Sequence, residues 1–148
     1  MSRLRISAFL ALAVGVAAQG GAGPARAEGA QFRVIVNLAN ATSTVDRRFL
    51  ADAFFKKTTR WADDEVIRPI DLAPGSAARR AFSEEVLRRS VEAVKSYWQQ
   101  AVFSGHGVPP VELDSESDVV KFVLKNRGAV GYVSSRTDTS GVKVLVVR

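Results

Sequence analysis

The apolar positions of this chain fall into short runs with two different periods. Four runs rich in Val and Ile are predicted to be strands: "FRVIVNL" (32–38), "IRPIDL" (67–72), "GAVGYVSS" (128–135) and "VKVLVV" (142–147). The proline in "IRPIDL" indicates that this strand lies near a sheet edge or that the proline stands at a strand end. The polar turn "RTDTSG" separates the last two strands.

Between the strands, apolar side chains recur every three or four residues, which predicts helices. Thr44 is the predicted N-cap of the first helix, and Ser76 that of the second, in "PGSAARRAF". The third helix is "VEAVKSYWQQAVF" (91–103), with a predicted buried face made of Val91, Val94, Trp98 and Val102. Ser115 or Ser117 caps the fourth, "SESDVVKFVLKN". Strands that alternate with helices predict an α/β three-layer sandwich with a mainly parallel sheet.

The first 27 residues have the features of a cleavable signal peptide. Arg3 and Arg5 precede an apolar run, "ISAFLALAVGVAA" (6–18), and Ala25-Arg26-Ala27 matches a small-x-small cleavage site. The apolar run is shorter than the roughly 20 residues that span a bilayer. We therefore expect export to the periplasm and a mature domain over residues 28–148.

Removing this segment changes the charge of the protein. The whole chain has a formal net charge of +6, and the loss of three arginines leaves 18 basic and 15 acidic residues, or +3. Because the bases are interspersed with acids, nucleic acid is not an expected partner. The chain has no cysteine, which excludes thiol catalysis and zinc–thiolate sites.

Other candidates for chemistry are weak. The only histidine, His106, lies between glycines with no orienting acid nearby, so a catalytic Ser104–His106 pair is not expected. Three consecutive acids, Asp63 to Glu65, point in different directions and are interpreted as a solvated loop. The sequence has no phosphate loop of the Walker kind and no dinucleotide fingerprint. We predict a protein that is not an enzyme and has no metal or cofactor.

The start of the second predicted helix is the strongest candidate site. A helix N-terminus presents free N–H groups and a partial positive charge, both of which favour anions. The backbone of Ala77, Ala78 and Arg79, the hydroxyl of Ser76 and the guanidinium of Arg79 could bind an oxyanion such as phosphate. The alternative is structural, because a serine at this position also caps a helix that binds nothing.

The mature chain resembles the substrate-binding proteins of phosphate ABC transporters, of the periplasmic type II binding-protein class. The resemblance rests on "VNLAN", "FLADAFFKKTTRWADDEVIRPIDL", "GSAARRAF", "YWQQAVFSGHGVPP" and "GAVGYVSS", which occur in the family's order. It implies one lobe of such a receptor, phosphate or a related oxyanion as ligand, and an ABC transporter permease or a sensor protein as partner.

The chain departs from the family's pattern at the helix start. The family opens this helix with Asp-Gly-Ser-Gly-Thr after an arginine that reaches the anion, whereas here only Gly75 and Ser76 match. Pro74, Ala77 and Ala78 replace the other members, and Leu72 stands in place of the arginine. With one lobe, an anion stays half-solvated, so we expect weak binding unless a homodimer completes the cleft. The alternative is an accessory or interaction module that keeps the fold and docks on a membrane or sensor partner.

Overall fold

A computed structural model describes residues 31–148 of the chain. The predicted signal peptide, residues 1–27, lies outside this part. The elements in chain order are β1 (Phe32–Asn37), β2 (Thr44–Val45), α1 (Arg47–Phe54), β3 (Arg68–Leu72), α2 (Ala77–Phe82), α3 (Val91–Phe103), β4 (Val111–Leu113), α4 (Glu116–Lys125), β5 (Ala129–Ser134), β6 (Val142–Val144) and β7 (Val146–Val147). A π-helical turn, Ser83–Leu87, continues α2 and ends at Arg88, whose φ is 56°.

The strands form a five-stranded sheet in the order β4-β3-β5-β1-β6, beside a small β2-β7 sheet. β3 runs parallel to both β4 and β5, and β2 runs parallel to β7. β1 runs antiparallel to β5 and β6. The predicted α/β class is confirmed: counted over both sheets, three of the five pairings are parallel, and within the five-stranded sheet the parallel pairings join β4, β3 and β5, with β1 as the antiparallel element.

Successive residues of β5 show how the sheet is covered on both faces. A side chain at Gly131 would lie 2.7 Å from Val119 of α4, so α4 packs closely on that face. The ring of Tyr132, next in the strand, stacks on Phe82 of α2, with centroids 4.0 Å apart and planes 6° apart. Phe54 of α1 joins the same aromatic cluster. The predicted three layers are therefore α4, the sheet, and α1 with α2.

Some details differ from the sequence-based expectations. α1 begins one residue after Asp46 instead of after Thr44, because Thr44 is taken up by β2. The predicted strand 142–147 divides at Leu145, whose N–H donates to Val34 O, into β6 and β7. Val102, predicted to be buried, is 54% exposed and lies at the end of α3. Of the two predicted caps for α4, the structure selects Ser115.

Within residues 31–148, no helix combines the length and the apolar character needed to cross a membrane.

Candidate functional site

Ser76 caps α2 as the sequence predicts. Its backbone is extended, with φ −69° and ψ 135°, and its Oγ accepts a hydrogen bond of 3.3 Å from the Arg79 N–H. The Ser76 N–H donates to Ala73 O, which closes the turn through Pro74 and Gly75. The cap therefore satisfies the third N–H of the helix and uses the hydroxyl as an acceptor.

The cap leaves the N–H groups of the first two residues of α2, Ala77 and Ala78, without a bond to the Ser76 hydroxyl. In the part of the chain that the structure describes, no protein acceptor bonds the N–H of Ala77 or of Ala78. Ala77 is exposed, while the side chain of Ala78 is buried against the core. The loop before them leaves space, since a Cβ at Gly75 would meet no atom within 4 Å. These are the donors that an anion at this helix start would use.

Arg79 does not offer its charge to this helix start. Its side chain is buried, and its Nη1 lies 2.8 Å from Asp71 Oδ1 and donates to Leu72 O at 2.9 Å. Glu112 of β4 lies 3.8 Å from the same nitrogen. The guanidinium of Arg79, which the sequence predicts as an anion ligand, is therefore paired with Asp71 in this structure.

Asp71 is the centre of a buried polar network that the sequence analysis missed. Tyr132 donates a 2.5 Å hydrogen bond to Asp71 Oδ1 and accepts one of 3.2 Å from the Leu72 N–H. Burial raises the pKa of Asp71 to about 6, although Arg79 and the Tyr132 hydroxyl oppose this rise. The sequence feature that could have indicated this network is Asp71 itself, the only acid in the apolar strand "IRPIDL". An acid that is buried requires a polar or charged partner.

Arg80 supplies a cation beside the helix start. It is exposed, and its Nη1 lies 3.5 Å from Gly75 O, a long contact that leaves the side chain free to reorient. Among the described residues, no acid lies within salt-bridge distance of Arg80. A cavity of about 190 Å³ beside Ala77 and Arg80 also has Glu84 and Glu85 on its wall. We call Gly75–Ala78 with Arg80 the α2 entrance.

A larger cavity has Arg79 among its lining residues. It has a volume of about 570 Å³ between α3 and β4, and we call it the α3–β4 groove. Val91, Trp98 and Val102 form the α3 wall, Pro109 and Pro110 form part of the opposite wall, and Asp71, Arg79 and Glu112 also line it. Phe103 at its rim is 95% exposed. The groove is therefore largely apolar with one buried ion pair among its lining residues.

The remaining candidates form no site. His106 is exposed in the loop after α3, and Asp63 and Asp64 are exposed in a turn where Arg60 lies 3.6 Å from Asp64. Across residues 31–148, no group of three or more His, Asp or Glu side chains is arranged to hold a metal ion.

Comparison with solved structures identifies the fold. An ABC-type phosphate transport receptor from Vibrio cholerae aligns with 79% of this chain at a TM-score of 0.62 and 20% identity. The fold is similar to part of a phosphate transport receptor. A structure with phosphate bound, assigned to a phosphate ABC transporter substrate-binding protein of Clostridium perfringens, aligns with 79% of the chain at a TM-score of 0.61 and 21% identity.

A phosphate-binding protein candidate from Planctomyces limnophilus aligns with 80% of the chain at a TM-score of 0.59 and 17% identity. This chain spans 46%, 44% and 41% of the three structures, respectively, which is less than half of each. No protein-family model and no curated protein matches the chain. The likeness in fold agrees with the resemblance drawn from the sequence, and all three structures are described as receptors or binding proteins.

Proposed function

We propose that this protein is a periplasmic, phosphate-receptor-like domain that binds phosphate or a similar oxyanion weakly at the α2 entrance. The observation that carries the proposal is the pair of N–H groups of Ala77 and Ala78, which have no acceptor within residues 31–148 and stand at a helix start. The fold supports it, since similar folds belong to proteins described as phosphate receptors. Such a domain would serve ABC-type phosphate uptake.

Arg80 is the residue that gives this site its positive charge in the proposal. The guanidinium of Arg79 is held by Asp71, whereas that of Arg80 is exposed beside Gly75 O. A guanidinium and two N–H groups are donors that match the oxygens of phosphate. Glu84 and Glu85 on the adjacent cavity wall oppose the anion and limit its affinity.

The expected affinity is millimolar. Each solvent-exposed contact contributes about 1 kcal/mol because water screens the charges. A few such contacts amount to about 4 kcal/mol, which corresponds to a dissociation constant near 1 mM. The site is therefore suited to high local phosphate concentrations unless a further lobe covers the anion.

The test is a phosphate titration followed by amide chemical shifts in the NMR spectrum. We expect saturable shifts at Ala77 and Ala78 and a several-fold weaker affinity in Arg80→Gln. Ser76→Ala and Ser90→Ala are matched variants, because each serine caps a helix by accepting from the N–H three residues on. Only Ser76→Ala should reduce phosphate binding. Absence of saturable shifts up to about 20 mM, on the scale set by a millimolar site, would refute the proposal.

A second candidate function is an accessory or interaction module that docks on a membrane or sensor partner and binds no solute. The observation that favours it is Phe103, which is 95% exposed beside the α3–β4 groove. A photo-crosslinker placed at Gln99 in the groove should then trap one defined partner in periplasm that is not a second copy of this chain. Saturable phosphate shifts without any crosslinked product would exclude this candidate in favour of the first.

A further inference from the structure

The α3–β4 groove combines an apolar cavity with an exposed aromatic ring, that of Phe103. Phe103 is the last residue of α3, and its ring is 95% exposed at the rim of the groove. The cavity of about 570 Å³ has apolar walls formed by Trp98, Val102 and Pro109 among others. Such a volume is large enough for an aromatic side chain. An aromatic ring that enters the groove displaces water from its apolar walls, which is favourable.

We propose that the groove is occupied by Phe103 of a second copy of this chain in a two-fold symmetric dimer. A two-fold contact uses the same surface on both copies, so the inserted group and its receiving cavity must lie side by side on one face. Phe103 and the groove meet this requirement, because Phe103 itself lines the groove. Each copy then supplies a residue that completes the cavity of the other.

The charges at the groove fit the same arrangement. Lys95 lines the α3 side, and Glu112 lines the β4 side, where its carboxylate lies 3.8 Å from Arg79 Nη1 and its side chain stays 48% exposed. In the proposed dimer the two-fold axis runs along the groove, which places the α3 side of one copy against the β4 side of the other. Lys95 therefore faces Glu112 of the second copy, which pairs opposite charges at the rim of the contact.

The apolar area is of the size that a dimer uses. Phe103 leaves roughly 150–200 Å² of ring surface in water. Val102, which lines the groove, is 54% exposed and adds to it, and Val108 in the loop after α3, outside the groove lining, is 69% exposed. Together with the groove walls, this approaches the roughly 450 Å² of apolar surface that one side of a standard interface contributes.

The test is sedimentation equilibrium of the purified protein at concentrations up to about 0.5 mM, a range that covers the micromolar affinities of small interfaces. We expect a monomer–dimer equilibrium that weakens at least tenfold in Phe103→Ser, the size of change typical of a central aromatic anchor. Lys95→Glu should weaken it several-fold at low salt. Leu38→Ser is the matched control, because Leu38 is 64% exposed and lies just after β1, and it should leave the equilibrium unchanged.

Three results would overturn the proposal. The first is a wild-type protein that stays monomeric over the whole concentration range. The second is a dimer that Phe103→Ser does not weaken while the variant retains the wild-type circular dichroism spectrum. The third is equal weakening by Leu38→Ser. The proposal uses no residue of the α2 entrance, so its failure leaves the phosphate proposal standing, and failure of phosphate binding leaves the dimer proposal standing.

Discussion

The Nη1 atom of Arg79 lies 2.8 Å from the Oδ1 atom of Asp71, and both side chains are 5% exposed. This ion pair ties the first turn of α2 to the end of β3, where the chain turns through Pro74 and Gly75. It explains why the guanidinium of Arg79 serves the fold instead of the predicted anion site. The α2 entrance is left with Arg80 and backbone donors.

Removal of Arg79 should be strongly destabilising. Arg79→Met leaves the buried carboxylate of Asp71 without its cation, which costs about 3–5 kcal/mol of unfolding free energy. Urea unfolding measures this difference. Arg80→Met is the matched control, since Arg80 is exposed, and it should change the free energy by less than about 0.5 kcal/mol. Equal effects of the two substitutions would contradict the structural role of Arg79.

The stability of the protein should depend on pH through Asp71. Burial raises the pKa of Asp71 from 3.8 to about 6, so the folded state holds its proton more tightly than the unfolded state. The contribution of the Asp71 carboxyl to the unfolding free energy is therefore fully present below about pH 4 and is lost as the pH rises through 6. The shift corresponds to about 3 kcal/mol of unfolding free energy.

Asp71→Asn isolates this effect from other titrating groups. The unfolding free energies of wild type and Asp71→Asn are measured in urea from pH 4 to pH 7.5. As the pH rises, the wild type should lose unfolding free energy relative to Asp71→Asn. Arg79→Met should raise the pKa of Asp71 further, because the guanidinium opposes the effect of burial. A difference that stays flat across this range would contradict the assignment.

The α/β class and the order of most elements could be predicted from sequence because they depend on local periods. The cap at Ser76 was predictable for the same reason, since it involves residues only three apart. The antiparallel placement of β1 was not, because it depends on which strands meet across more than 90 residues. The Asp71–Arg79 pair was missed because the register of β3 and α2 turns both side chains inward.

The Tyr132 hydroxyl should contribute to the unfolding free energy in addition to the packing of the Tyr132 ring. Tyr132→Phe keeps the stacking on Phe82 but removes one donor to Asp71 and one acceptor for the Leu72 N–H. Leaving these buried groups unsatisfied costs about 1–3 kcal/mol of unfolding free energy, which urea unfolding measures. Tyr97→Phe is the control, since Tyr97 is partly exposed and its hydroxyl bonds no described residue. An unfolding free energy that Tyr132→Phe leaves unchanged would refute the stabilising role of these hydrogen bonds.

Ala77→Pro should separate helix stability from anion binding. Ala77 is the first residue of α2, where proline is tolerated, and Ser76 before it already has the extended backbone that proline requires. The substitution deletes one of the two available N–H donors, so phosphate affinity should fall about threefold or more. The unfolding free energy should stay within about 1 kcal/mol of wild type. Unchanged phosphate affinity in the folded variant would exclude the Ala77 N–H as a ligand.

The central claim, that the α2 entrance binds an oxyanion, is tested most directly by a crystal structure of the protein soaked in phosphate well above the expected millimolar constant. We expect a tetrahedral density peak at hydrogen-bond distance, about 2.7–3.2 Å, from the Ala77 and Ala78 nitrogens, with Arg80 turned toward it. An empty α2 entrance in a crystal where no neighbouring molecule covers Ala77 would contradict it.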